Sequence, residues 1–116
     1  MSADFRPGTH NVKIWRNDTW SEVFVITANS LPINMSTADV KVQVRKKANS
    51  ATADLSLTEA SGITVGGAGS NQITISKLVD IASGNYVWDM QVAFADGVVK
   101  TYLTGAFEVY EDVTKP

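Results

Sequence analysis

Few residues in this chain could do chemistry, and they are scattered. His10 is the single histidine. A Ser-His-Asp relay needs its base held firmly within hydrogen-bond reach of the nucleophile. His10 instead follows Arg6-Pro7-Gly8 in a short polar stretch without periodicity, which reads as an arm or linker over residues 1–11. With no cysteine in the chain, a thiolate nucleophile, a thiolate metal site and a disulfide are all excluded. Glu108, Glu111 and Asp112 gather carboxylates but lack the spacing and the glycine of a calcium loop. Gly66-Gly67-Ala68-Gly69-Ser70-Asn71 has the composition of a phosphate cradle. No Gly-Lys-Ser/Thr follows it, however, and the next residues alternate like a strand where a phosphate site wants a helix N-terminus, so it reads as a hairpin loop. The expectation is a protein that is not an enzyme, with no catalytic residues, no cofactor and no bound metal.

The charges point the same way. Asp89 falls on the outward parity of a strand, where Lys41, Arg45 or Lys100 could pair with it across the sheet. Arg45-Lys46-Lys47 has no aromatic neighbours and reads as a solvated strand end. A net charge of −2 offers no electrostatic reason for nucleic acid or an anionic membrane as partner. The N-terminus lacks the apolar core of a signal peptide, and no apolar run approaches the roughly 20 residues of a membrane-spanning helix. We therefore expect a soluble protein.

The elements that would position these groups are strands. Tyr86, Trp88, Met90, Val92 and Phe94 occupy alternate positions between Gly84 and Gly97, so an extended backbone turns all of them to one side as a core row. Asp96-Gly97 then marks a hairpin into a strand from Val98 to Tyr110, in which Gly105 suggests a bulge or bend. Upstream, Val12 and Ile14 form a first strand and Trp20–Ala28 a second, with Phe24 and Ile26 the better inward pair. Leu31, Ile33 and Met35 lie under a crossing loop, and Val40, Val42 and Val44 alternate with Lys41, Gln43 and Arg45. Leu55 and Leu57, then Ile63 and Val65, then Ile73 and Ile75 complete the set, and residues 77–83 allow at most one helical turn. At 116 residues this is an all-β single domain, an antiparallel β-sandwich of about seven strands spanning 12–116 after the arm.

Gly84-Asn85-Tyr86-Val87-Trp88 resembles the penultimate core strand of immunoglobulin-like domains. The resemblance implies that Tyr86 is a corner tyrosine bonded to backbone near the turn, and that Trp88 fills the volume of the missing disulfide. A wider resemblance rests on Arg16-Asn17-Asp18-Thr19-Trp20, Leu31-Pro32-Ile33-Asn34-Met35-Ser36, Val42-Gln43-Val44-Arg45, Gly62-Ile63-Thr64-Val65-Gly66-Gly67, Gly84 to Met90, Gly105-Ala106-Phe107-Glu108-Val109 and Asp112-Val113-Thr114. In that order these resemble a class of small immunoglobulin-like virion proteins of tailed bacteriophages and prophages. Asn17 stands where that class commonly has Gly, and Met35-Ser36-Thr37 where it has Leu-Thr-Gly.

That resemblance implies a non-enzymatic virion structural protein, assembled in the host cytoplasm. It would be an interaction module in the tail, baseplate or fibre-attachment region, with other virion proteins and further copies of itself in an oligomer or lattice as partners. A capsid decoration or head-fibre role is the alternative, and a carbohydrate-binding module contacting a host surface glycan is the alternative of another class. In the first reading, Phe5, Arg6 and His10 of the arm and the outward aromatics Trp15, Tyr102 and Tyr110 form the interface. Deleting residues 1–11 is then expected to spare the fold and abolish assembly.

Overall fold

The computed structural model describes residues 7–28 and 30–114, and all of their regular structure is β. The strands are β1 (Gly8–Thr9), β2 (Val12–Trp15), β3 (Thr19–Val25), β4 (Thr27–Ala28), β5 (Leu31–Pro32), β6 (Asp39–Arg45), β7 (Leu55–Leu57), β8 (Ile63–Gly66), β9 (Gln72–Leu78), β10 (Gly84–Ala93) and β11 (Val99–Tyr110). A large sheet runs β1-β11-β10-β6-β7, with β2 also on β11, and a small sheet runs β3-β9-β8. The strands β4 and β5 make a short antiparallel ribbon of their own. Both β1 and β2 lie parallel to β11, and every other pairing is antiparallel.

The core lies between the sheets and follows from period-two alternation. Val40, Val42 and Val44 of β6 are fully buried, as are Met90 and Val92 of β10, and Tyr86 and Trp88 are nearly so. From the small sheet come Trp20, Ile63, Ile73 and Ile75, and from β11 Phe107 and Val109. Phe24 and Phe94 pack against the rim of this cluster. Trp20 stands edge-on to Trp88, with ring centroids 5.2 Å apart at 86°, and is 5.0 Å from the Phe107 ring. This aromatic group joins residues of the small sheet to residues of the large one across the core. The Tyr86 hydroxyl donates to the Ala82 carbonyl at 2.7 Å, tying the start of β10 to the loop before it.

Several expectations need revising. Leu31 does not reach the core: the β4–β5 ribbon carries it outward and leaves it 67% exposed, while Met35 is buried. The expected strands Leu55–Leu57 and Ile63–Gly66 are both present, the first beside β6 in the large sheet and the second on the free side of β9 in the small one. Residues 77–83, read as at most one helical turn, hold none and so stay within that reading. Gly105 marks no bulge, since the register shift between β10 and β11 falls instead between Met90 and Gln91, opposite Tyr102. The turn after β10 is a loop closed by Phe94 and Val98, with only Gly97 at positive φ (93°), as glycine-bulge hairpins require.

Candidate interaction site

Of the expected interface residues, Phe5 and Arg6 lie outside the described residues. Trp15 and Tyr110 are brought together. They are register partners in the parallel β2–β11 pair, at the last position of each strand, and their rings sit 5.4 Å apart at 48°. Trp15 is 52% exposed and Tyr110 38%. The Tyr110 hydroxyl donates to Glu108 Oε2 at 2.7 Å, which raises its pKa because the bonded proton is harder to remove. Beside the pair, Arg16 donates its backbone N–H to the Tyr110 carbonyl at 2.7 Å and places its guanidinium 3.6 Å from Glu111. Asn17, at φ 70°, donates its amide to Asp112 at 3.0 Å. These contacts hold the residues that follow β2 against those that follow β11, so both rings stand on tethered backbone.

Tyr102 does not join them. It lies eight positions back along β11, roughly 27 Å away for extended chain. As the unpaired residue of the register shift it turns toward the core rim, where burial raises its hydroxyl pKa and Lys100 Nζ lies 5.5 Å from its ring centroid. The period-two reading that aimed it outward fails because one inserted residue reverses parity.

His10 is built into the fold rather than held in a free arm. Its backbone N–H donates to the Thr104 carbonyl at 2.9 Å, and its own carbonyl accepts the Trp88 indole N–H at 2.8 Å. Its Nε2 lies 2.8 Å from Glu22 Oε2, while Glu22 Oε1 accepts the Trp20 indole N–H at 2.8 Å. Its ring is also edge-on to Phe24, at 5.2 Å. The imidazole thus links the first strands of the large sheet to β3 of the small one. The sequence held a signal for this. Glu22 shares its parity with Trp20 and Phe24, and a carboxylate on an inward face needs a partner.

Asp89 faces outward between Gln43 and Thr104, in an open cavity of about 350 Å³ also lined by Arg45 and Val87. The expected ion pair is absent among the described residues. Arg45 turns its guanidinium to the Ser50 carbonyl (2.9 Å) and the Gln43 side-chain oxygen (2.7 Å). Burial therefore pushes the Asp89 carboxyl up, with only a partial opposing pull from the Arg45 charge.

Among the described residues, no group of three or more His, Asp or Glu side chains is placed to hold a metal ion, and no helix is long and apolar enough to cross a membrane. No family model matches the chain, and no curated protein matches it. Among solved structures, CopC from Methylosinus trichosporium OB3b superposes on 82% of this chain and 100% of its own, at 12% identity and a TM-score of 0.42. A likeness of that size carries no argument about function.

Proposed function

We propose that this chain is a non-enzymatic interaction module of a tailed-bacteriophage virion, in the tail, baseplate or fibre-attachment region, and that it docks through Trp15 and Tyr110. The fold in this reading is an immunoglobulin-like sandwich. The small sheet β3-β9-β8 forms one layer, and the large sheet, with a first strand parallel to its last, forms the other. The virion assignment draws on the motif resemblance along the chain.

The observation that carries the docking site is the exposed Trp15–Tyr110 pair. Aromatic side chains on tethered backbone lose little entropy when a partner covers them, and they dominate the energetics of protein interfaces. The 48° tilt between the rings favours a shaped protein knob over a flat sugar ring, which stacks on a single plane. The test is to follow labelled Trp15→Ala and Tyr110→Ala chains into particles by imaging. Wild-type signal on the tail, lost in both variants, supports the reading. Signal on the shell would make the chain a capsid decoration protein, and glycan binding lost in Tyr110→Ala would make it an adhesion module.

A further inference from the structure

The outer face of the small sheet is uncharged. Its three strands hold two charged side chains, Glu22 and Lys77, and both occupy the inward parity shared with Trp20, Ile73 and Ile75. Outward stand Val23, Val25 and Leu78, which are 51%, 63% and 50% exposed, set among Thr64, Thr74 and Ser76. The large sheet does the opposite and turns Lys41, Arg45 and Asp89 out on the corresponding face. Surface strands ordinarily carry such charges, which keep sheets from stacking on their own copies.

We infer that this face is a self-association surface, occupied by the same face of a second copy across a twofold axis. A charged face set against itself meets like charges, whereas this one meets none. The same absence removes the means by which a face selects a foreign partner or rejects its own copy. Val23, Thr74 and Thr64 stand in register across all three strands. They make a straight β-branched row that can interdigitate with its symmetry mate at the usual spacing of about 10 Å between sheets. At about 4.8 Å between strands and 3.4 Å per residue, the face measures roughly 14 by 24 Å, so two copies would cover on the order of 700 Å² of flat sheet in total. That is below the roughly 1,200 Å² at which standard interfaces begin, and it sets the outcome: a weak, reversible dimer that forms only when copies are concentrated. The inference is independent of Trp15 and Tyr110, which stand on the other sheet.

Sedimentation equilibrium of the purified full chain tests it, over about 10 μM to 1 mM, the range in which an interface of this size associates. The average mass should climb from the monomer value of 12.5 kDa toward twice that. Val23→Lys and Val25→Lys should each weaken association at least tenfold, while Trp15→Ala leaves the curve unchanged. Both valines are solvent-exposed, so the lysine variants should keep the wild-type circular dichroism melt, which separates lost contact from lost fold. A monomer at every concentration, association that survives both lysines, or association lost in Trp15→Ala would each overturn the inference.

Discussion

The backbone carbonyl of His10 lies directly against the α-carbon of Gly105, so close that any side chain at 105 would have to occupy the same space. Gly105 is therefore a site of close backbone approach: the segment that joins β1 to β2 alongside β11 packs its His10 carbonyl against it, and a bare α-carbon leaves the room. Its φ is not among the positive ones, so the demand is spatial, not conformational.

Replacing Gly105 with Ala should accordingly lift the His10 segment away from β11, break the Trp88–His10 hydrogen bond and destabilise the protein by about 3 kcal/mol, the scale of overpacking plus a lost buried bond. Urea denaturation measures it. In a chain lacking residues 1–11 the same substitution should cost under about 1 kcal/mol, because its steric partner is gone. A full cost in both backgrounds would show that the glycine serves something else.

That truncation is itself informative. Removing residues 1–11 takes away β1, the acceptor for the Trp88 indole and the imidazole that meets Glu22. The shortened chain should lose stability by several kcal/mol, on the order of 2–4 from an orphaned indole N–H and a lost strand, where the sequence reading expected no change in fold. A thermal melt within a degree of wild type would contradict the structure at this point.

Glu22 offers a sharper probe. Its two carboxylate oxygens are divided between Trp20 and His10, and Trp20 is only 2% exposed. Glu22→Ala should cost about 1–3 kcal/mol by leaving the indole N–H without an acceptor. Glu22→Gln, whose amide oxygen can still accept from Trp20, should cost less than half as much. Equal losses in the two variants would mean that the His10 contact, not the indole bond, carries the energy.

The strands were legible in the sequence wherever one face is wet and the other dry. Val40, Val42 and Val44, and the row from Tyr86 to Val92, alternate because the sheet requires it. The relationships that build the candidate site were not legible, for a physical reason. Trp15 meets Tyr110, and Asn11 meets Ala106, through parallel pairing of segments 95 positions apart, which leaves no local pattern. Tyr102 misled because a single inserted residue reverses parity without changing composition. Glu22 and Gly105 were the visible clues, a charge on an apolar parity and a glycine inside a strand, and both pointed to the same N-terminal segment.

Tyr86→Phe removes a single hydrogen bond and little else. The ring is 5% exposed and stays in the core, while the hydroxyl's bond to Ala82 is lost. The expected cost is about 1 kcal/mol in chemical denaturation, with Trp88 fluorescence of the native state unchanged. A shifted native spectrum would mean that the corner bond also sets the course of β10.

Asp89 supplies a pH dependence with a definite sign. Burial raises its carboxyl above the ordinary 3.8, and the Arg45 charge only partly opposes this, so the folded chain holds the proton more tightly than the unfolded one. By linkage, the contribution of this group to stability is fully present below pH 3.8 and is lost as pH rises through the folded-state value. Asp89→Asn stays neutral throughout. It should therefore match wild type at pH 3 and exceed it at pH 7, by no more than about 1 kcal/mol because solvent reaches the site. Thermal melts of both proteins across pH 3–7 read the difference directly. A variant less stable than wild type at pH 7 would mean that the carboxylate is engaged by Arg45 in solution, and that the outer face of the large sheet is closed by the ion pair the sequence suggested.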